Sequence, residues 1–470
     1  MRFINRDKEL DVLEKEYKRD GSSFVVIYGR RRVGKTTLIK EFVKNKKSIY
    51  FLADRQKEKM QIDRLKEIAA EKFEDEVLKD IAFDSWDGLL RYIDKNLEID
   101  EKLVLVIDEF QYLVKANNAL PSILQRLWDE VLKDRDIMLI LCGSLISMMY
   151  NSTLSYKSPL YGRRTSQLKL APLRFKELPA FFTGKSPVEL VELYSFLSGV
   201  PKYIEIFEES GDVFSAIEKN ILDKDSFLYH EPVYILNEEL SETTTYFSLM
   251  EVISRGEHKI GKIANKMQMP ANHLTSFLNR LIELELLERD VPVTEENPLK
   301  SRQGLYFIKD HFFRFWFSYV LPYKSYIEIG AGAFVLKKIK QSFNLFVSQA
   351  FERVCRELLL SHPPVEIRKI GRWWDKKEEI DIVALSEKEM LVGECKWWED
   401  KVGINVLKDL QRKAGFIRKE KQDLVFVLFS KSGFTPDLEE LAREDEKILL
   451  YDFSSDKIKN FDTFNGKEVI

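Results

Sequence analysis

The residues best suited to chemistry lie in a glycine-containing loop that follows the apolar run at residues 24–28. Gly29 and Gly34 let the backbone curl so that N–H groups point at phosphate oxygens, and the helix expected next adds the positive end of its dipole. Lys35 can contact the β- and γ-phosphates of a nucleotide, and the Thr36 hydroxyl can complete the ligand shell of Mg²⁺. The pattern predicts a nucleotide-binding site, with a basic surface turn as the alternative. The full phosphate-binding set expected is Gly29, Arg32, Val33, Gly34, Lys35, Thr36 and Thr37.

Polar side chains also follow two other apolar runs that are typical of buried parallel strands. Asp108 and Glu109 end the run at residues 103–107, and Ser144 ends the run at residues 139–143. Ligands of α/β proteins bind at the carboxyl ends of such strands. We therefore expect Asp108 to hold Mg²⁺, Glu109 to orient and deprotonate the attacking water, and Ser144 to sense the γ-phosphate. The alternative is a pair of strands that end in solvated polar residues.

Two arginines, Arg163 and Arg164, are candidates for neutralising charge in the transition state of phosphoryl transfer. Such an arginine can act within its own chain or reach the nucleotide of a neighbouring subunit. The alternative interpretation is a pair of salt-bridging surface arginines.

A second constellation lies near the C-terminus, where two strands are predicted at residues 379–385 and 390–397. Side chains alternate along a strand, so Glu394 and Lys396 share one face, and Asp381 can meet them from the partner strand. The two carboxylates can bind Mg²⁺ or Mn²⁺, which activates water, and the lysine can stabilise a charged phosphoryl transition state. Glu352, on a preceding helix, is expected to complete the metal site or to act as the base. The alternative is a structural cluster of ion pairs.

Composition excludes several classes of protein. The net charge of −3 over 470 residues gives no global attraction to nucleic acid, and the three cysteines are far apart in sequence, as expected of reduced thiols rather than a disulfide framework. No apolar run reaches the roughly 18 residues needed to span a bilayer. The sequence predicts a cytoplasmic protein without a membrane partner.

Alternation of short apolar runs with amphipathic segments predicts an α/β fold with a doubly wound parallel sheet. Its expected strands cover residues 24–28, 48–52, 103–108 and 137–143. Residues 186–235 are predicted to be helical, and residues 240–309 to form three helices and a two-stranded wing. The third of these helices carries a single arginine, which favours a regulatory or packing role over DNA reading. The aromatic-rich segment 306–319 is expected to be core, with base stacking as the alternative.

Together these motifs resemble the archaeal ATPases of the AAA+-related, STAND-like P-loop group. The similarity rests on Asn5, Arg6 and Glu9, on residues 29–36, 107–111, 143–144, 161–163 and 199–201, and on residues 306–316. It implies that Asn5 and Arg6 lie beside the adenine of ATP. The C-terminal part resembles the PD-(D/E)XK nuclease superfamily, whose motif Asp381, Glu394 and Lys396 match.

The resemblance implies a P-loop ATPase domain, a helical lid, a winged helix, an aromatic helical connector and a restriction-endonuclease-like α/β domain, at residues 1–185, 186–239, 240–310, 311–345 and 346–470. The expected function is ATP hydrolysis coupled to a metal-dependent nuclease-like domain that acts on DNA. A regulatory or scaffolding ATPase with an inactive C-terminal domain is the main alternative. A homo-oligomer or a protein partner is left open.

Overall fold

The computed structural model describes residues 3–96, 101–208, 211–417 and 422–460. It divides into two compact units, Met1–Pro172 and Leu173–Ile470. The five predicted segments divide the chain more finely than these two units do, and their boundaries remain predictions. Parts of the first, second and last segments lie outside the described residues.

The first unit is built on a five-stranded parallel sheet in the order β2-β3-β4-β1-β5. Its strands are β1 Ser23–Tyr28, β2 Ser48–Leu52, β3 Leu103–Asp108, β4 Ile137–Gly143 and β5 Ser166–Lys169. Its helices are α1 Asp7–Tyr17, α2 Lys35–Val43, α3 Glu58–Phe73, α4 Glu76–Asp80, α5 Trp86–Asn96, α6 Gln111–Ala116, α7 Leu120–Glu130 and α8 Ile146–Met149.

The structure confirms the four strands predicted for this sheet. They could be predicted because each is a continuous apolar run. Every residue of β3 and β4 is buried, as expected for central strands covered by helices on both faces. Strand β5 was not predicted. Its four residues alternate between half-buried and exposed positions at the sheet edge, so the sequence carries no apolar run there.

The second unit begins with helices and continues into a six-stranded mixed sheet in the order β13-β12-β11-β10-β9-β8. Its helices are α9 Pro187–Leu197, α10 Pro201–Phe207, α11 Val213–Asn220, α12 Phe227–Glu239, α13 Thr243–Ser254, α14 Ile260–Met267, α15 Ala271–Glu283, α16 His311–Phe315, α17 Lys324–Glu328, α18 Gly332–Ser361, α19 Ile404–Ala414 and α20 Pro436–Glu444. Its strands are β6 Leu287–Asp290, β7 Leu305–Ile308, β8 Lys369–Trp374, β9 Glu379–Leu385, β10 Glu389–Lys396, β11 Asp423–Ser430, β12 Ile448–Asp452 and β13 Lys459–Asn460.

Helices α13 to α15 and the antiparallel hairpin β6–β7 give the order predicted for a winged helix. The aromatic segment that follows is core. Helix α16 is buried throughout, and Phe313, Phe315 and Trp316 are at most 2% exposed. Aromatic rings there pack on one another, so base stacking by Phe313, Trp316 and Phe317 is excluded.

Three free cysteines are described, as predicted, but two of them are neighbours. Cys355 on α18 and Cys395 on β10 are close enough for each thiol to affect the pKa of the other, although 40 positions separate them in sequence. In the part of the chain that the structure describes, no helix has both the length and the apolar character that crossing a membrane requires.

Candidate nucleotide site and candidate C-terminal site

The loop between β1 and α2 has the geometry of a phosphate cradle. Gly34 has φ of 92°, a left-handed conformation that glycine adopts without penalty, and it directly precedes the first turn of α2. At Gly29 a Cβ atom would lie 2.3 Å from the Leu170 carbonyl oxygen, so the close approach of β1 to the residue after β5 requires glycine. Among the other predicted loop residues, Arg32 also has a left-handed φ of 68° and Val33 is buried. Thr37 lies in the first turn of α2.

Lys35 begins α2 and points into the loop. Its ammonium donates to the carbonyl oxygens of Gly29 and Arg30, both at 2.8 Å, and the residue is 6% exposed. Burial lowers the pKa of Lys35, while the nearby Glu109 and Asp108 carboxylates oppose that shift. The lysine is therefore held beside the phosphate loop by groups that a phosphate oxygen can replace.

Asp108, at the end of β3, is the centre of a hydrogen-bond network. Its Oδ2 accepts from the Thr36 hydroxyl at 2.8 Å and from the Tyr50 hydroxyl at 2.6 Å, and its Oδ1 accepts from the Glu109 backbone N–H at 2.9 Å. Burial, with the Asp108 charge beside it, raises the pKa of Tyr50. Sequence reasoning missed Tyr50. Tyr50 on β2 pairs with Val106 on β3, and this register brings the Tyr50 hydroxyl to Asp108. The register between two strands cannot be read from the sequence of one strand alone.

Glu109 and Ser144 lie together at the carboxyl end of the sheet. The Ser144 hydroxyl donates to Glu109 Oε2 at 2.7 Å, and the Gln111 amide also donates to that oxygen. Glu109 has a left-handed φ of 55°, which is uncommon for a residue with a side chain. Gln111 was not selected from sequence, although it follows the acidic pair by two positions.

Arg6 is tied to the phosphate loop rather than left free. Its guanidinium donates to the Val33 carbonyl at 3.1 Å and to the Ala171 carbonyl at 2.8 Å, and it pairs with Glu9 at 3.0 Å. Asn5, beside it, has a left-handed φ of 49°. The segment implied to lie by the adenine therefore abuts the predicted phosphate-binding residues.

The prediction that Arg163 or Arg164 acts on the nucleotide of its own chain is wrong. Both precede β5, and the Thr165 backbone N–H donates to the Phe24 carbonyl at the start of β1. The phosphate loop begins at Gly29, five positions after Phe24 along β1, a distance of about 16 Å at strand spacing. The Arg163 guanidinium forms a bidentate pair with Asp129, with the shorter contact at 2.7 Å.

The Arg164 side chain also has a structural partner, because its Nε donates to Gln167 at 2.9 Å. The salt-bridge alternative therefore accounts for the contact of Arg163, and contact with a neighbouring subunit's nucleotide stays a prediction for both arginines.

In the second unit, the C-terminal candidates converge at one end of the β9–β10 ladder. The register that pairs Gly393 with Ile382 places Asp381 opposite Glu394. Asp381 Oδ2 accepts from the Cys395 backbone N–H at 2.9 Å, and Lys396 donates to Glu394 Oε1 at 2.6 Å. Burial, reinforced by the Asp381 charge, raises the pKa of Glu394 despite the lysine.

Glu394 keeps one oxygen unsatisfied: Oε2 is buried and accepts no hydrogen bond. Lys413 on α19 lies 3.7 Å from that oxygen and pairs with Asp409 at 3.1 Å. Sequence reasoning missed Lys413. The only sequence signal for Lys413 is its position at the basic end of an amphipathic helix, and a helix face exposed to solvent gives the same pattern.

Glu352 lies near Asp381 but pairs with Arg372 on β8 at 3.4 Å. Burial raises the pKa of Glu352 to about 7; Arg372 opposes this shift and the Asp381 charge adds to it. Over the described residues, no group of three or more His, Cys, Asp or Glu side chains is arranged to hold a metal ion. The three-carboxylate metal site expected from Glu352, Asp381 and Glu394 is therefore not preassembled.

The tryptophans near this site are mostly structural. Trp373 and Trp397 are 8% and 4% exposed, and Trp397 packs on Phe351 with ring centroids 4.9 Å apart. Trp398, at 47% exposure, presents a ring to solvent, and the Lys396 ammonium lies 4.8 Å from its centroid. Base stacking by Trp373 and Trp397 is thus excluded.

The comparisons with known proteins match this geometry. Residues 3–207 match the model of an ATPase domain found predominantly in Archaea, and residues 316–409 match a family of archaeal and bacterial proteins of unknown function. An uncharacterized protein of Methanocaldococcus jannaschii is 36% identical over 438 residues, covering 91% of this chain and 95% of that protein. The chain belongs to this archaeal ATPase family.

Two solved structures are similar to this chain over about two thirds of its length. The Walker-type ATPase of Pyrococcus abyssi has a TM-score of 0.52 at 20% identity, covering 67% of this chain and 96% of that one. The ORC2 protein of Aeropyrum pernix, solved with ADPNP and ADP, has a TM-score of 0.44 at 13% identity, covering 69% and 94%. The first of these shows that this archaeal ATPase shares the P-loop ATPase fold. The resemblance of its C-terminal part to nucleases stays a prediction.

Proposed function

We propose that this archaeal P-loop ATPase binds ATP with Mg²⁺ and hydrolyses it slowly, as a switch for its C-terminal part. The observation that carries the nucleotide chemistry is the network at the sheet's carboxyl end, where Asp108 joins Thr36 to Tyr50. Lys35 exchanges its two loop carbonyls for β- and γ-phosphate oxygens when a nucleotide binds. Each group stays close to the position that it holds in the structure.

The donor set fits Mg²⁺. The Thr36 hydroxyl and the Asp108 carboxylate are hard oxygen ligands that meet at 2.8 Å at the start of α2. Bound Mg²⁺ neutralises charge on the phosphates during transfer. Glu109, held by Ser144 and Gln111, orients the attacking water and accepts its proton.

For the C-terminal part we propose phosphodiester cleavage in DNA. Support comes from Asp381 opposite Glu394, from Lys396 beside them, and from the buried Glu394 oxygen without a hydrogen-bond partner. The Lys413 ammonium lies 3.7 Å from that oxygen, beyond hydrogen-bond distance. A divalent ion held by Asp381 and Glu394 would meet the oxygen directly. Such an ion, Mg²⁺ or Mn²⁺, supplies activated water, and Lys396 stabilises the charge that develops on the phosphate.

The test is cleavage of linear, supercoiled, single-stranded and branched DNA with Mg²⁺ or Mn²⁺, with and without ATP. Lys396→Ala is compared with Lys408→Ala, which removes an exposed lysine of the same part of the chain. Cleavage that only Lys396→Ala abolishes supports the proposal. Cleavage that both variants retain, or that none of the proteins shows while ATP is hydrolysed, contradicts it.

A regulatory ATPase with a catalytically inactive C-terminal part is the second candidate. The observation that favours it is the mutual pairing of the charges: Lys396 with Glu394, and Arg372 with Glu352. Metal titration separates the two candidates. Saturable Mn²⁺ binding that Glu394→Gln removes supports the nuclease, whereas its absence supports the regulatory role.

A further inference from the structure

The second unit contains a cavity of about 420 Å³ whose lining overlaps the candidate C-terminal site at Glu352 and its partner Arg372. Its wall is made by the β6–β7 hairpin, by α16, and by one face of α18. The α18 residues that line it recur at helical spacing: Leu345, Ser348, Gln349, Glu352, Arg353 and Arg356. The cavity has the volume of a small-molecule pocket, for which about 300–1,000 Å³ is typical.

Four arginines line this cavity, and two of them already have carboxylate partners. Arg353 pairs with Glu288, and Arg372 pairs with Glu352. Asp290 and Glu379 also line the cavity. Among the described residues, the remaining two arginines, Arg314 and Arg356, form no ion pair with a carboxylate, although the charge of Arg356 acts on Asp290 and Glu352.

Arg314 is a buried cation without a carboxylate partner in the described part of the chain. It is 9% exposed and donates to Gln349 Oε1 at 2.7 Å and to the Phe346 carbonyl at 2.8 Å. Its Nε is buried without a hydrogen-bond partner. A buried guanidinium that meets only neutral acceptors bears a desolvation cost that an anion would offset.

Arg356 is half-buried, and the described residues offer it no hydrogen bond or ion pair. It follows Arg353 by three positions and Glu352 by four on the same face of α18, so its side chain borders the cavity beside theirs. A guanidinium presents five donors in a fixed fork, a geometry that matches phosphate oxygens.

An aromatic pair forms another part of the wall. The His258 and Phe307 rings lie 4.3 Å apart with 32° between their planes, and the Arg372 guanidinium lies 5.6 Å from the Phe307 centroid. Planar rings in a cavity that guanidinium groups also line suit a ligand that combines a base with a phosphate.

We propose that this cavity binds a nucleoside phosphate through Arg356 and Arg314. The ligand is either a free nucleotide or the 5′-phosphate end of a DNA strand, because both present the same phosphate and base. This site lies within the second unit and is separate from the phosphate loop. It does not depend on ATP hydrolysis or on DNA cleavage.

The test is calorimetric titration of the full chain carrying Lys35→Ala, which silences the phosphate loop. The probes are AMP, adenosine and a 5′-phosphorylated DNA dinucleotide. We expect saturable binding of AMP or of the dinucleotide, and a rise in Kd of about tenfold or more when Arg356→Gln is added. Arg302→Gln, an exposed arginine outside the cavity, should leave Kd unchanged.

Binding of AMP as well as the dinucleotide supports a free nucleotide, and binding of the dinucleotide alone supports a strand end. The proposal is overturned if neither binds, if adenosine binds as tightly as AMP, or if Arg356→Gln changes nothing. If Lys35→Ala does not fold, the same titrations are made on wild-type protein saturated with ADP, and Arg356→Gln must still remove the additional binding. Since no readout is cleavage, failure here leaves the proposed nuclease untouched.

Discussion

The Tyr50 hydroxyl gives the sharpest test of the Asp108 network, because sequence reasoning had assigned it no role. Tyr50→Phe removes one donor, at 2.6 Å, from a carboxylate that is fully buried. Asp108 keeps two others, the Thr36 hydroxyl and the Glu109 backbone N–H. A hydrogen bond to a charged group contributes about 1.5–3 kcal/mol. Because two donors remain, we expect the lower end of that range, about 1.5 kcal/mol.

If Asp108 must keep its orientation toward Mg²⁺ while the γ-phosphate is transferred, the lost hydrogen-bond energy raises the activation barrier and lowers kcat. A loss of about 1.4 kcal/mol lowers kcat tenfold. The KM for ATP should change by less than about twofold, because uniform binding by the phosphate loop is untouched. The assay is steady-state phosphate release, with chemical unfolding of the same samples.

The control is Tyr150→Phe, which makes the same chemical change at a residue that is 54% exposed. A double-mutant cycle with Asp108→Asn isolates the interaction between the two side chains. Tyr50→Phe should lower kcat much less when residue 108 is already Asn. A kcat that stays at the wild-type value, or effects that are strictly additive in the cycle, would refute the reasoning.

Three other predictions follow from single contacts. Arg163→Gln breaks the pair with Asp129 and should lower the free energy of unfolding by about 1 kcal/mol or less; kcat in dilute solution should not change, and a tenfold loss there would contradict its position far from the phosphate loop. Burial lowers the pKa of His311 well below its ordinary value, so the folded protein holds it neutral. In the unfolded chain His311 takes up a proton below about pH 6.5, so the free energy of unfolding should fall by about 1.4 kcal/mol per pH unit on further acidification. His311→Gln should reduce this pH dependence in unfolding curves, whereas His273→Gln, at an exposed position, should keep it. Gly29→Ala places a Cβ 2.3 Å from a backbone oxygen and should lower both Tm and ATP binding, and calorimetry showing wild-type values for both would contradict the close approach.

The nucleotide site was predictable because its residues follow long apolar strands. Asp108 and Ser144 each come directly after such a run, Lys35 follows another after the phosphate loop, and parallel strands bring their carboxyl ends to one edge. Tyr50 lies within a strand, where chemistry and packing look alike in sequence. Its role depends on strand β2 lying next to β3, which no local pattern specifies.

The C-terminal candidates show how far alternation along strands can be used. It correctly placed Glu394 and Lys396 on one face, where they form an ion pair. It could not show that Glu352 would meet Arg372, because those two residues come from a long helix and an edge strand. The arginine-lined cavity could not be predicted for the same reason. Its wall is formed by residues between 253 and 379 that come from several elements, and no single sequence pattern relates them.

The error over Arg163 has a general cause in the geometry of parallel sheets. A residue just after a parallel strand lies at the carboxyl edge, and a residue just before the next strand lies at the opposite edge. Arg163 follows Ser144 by only 19 positions, yet it precedes β5, which was too short and too polar to be recognised. Once β5 is placed beside β1, the arginine is fixed about a strand's length from the phosphate loop of its own chain. An arginine in this position can serve phosphoryl transfer only across a subunit boundary. A mixture of Arg163→Gln and Lys35→Ala subunits therefore decides the matter. ATP hydrolysis in the mixture that exceeds the sum of the two variants measured separately would require contact between chains.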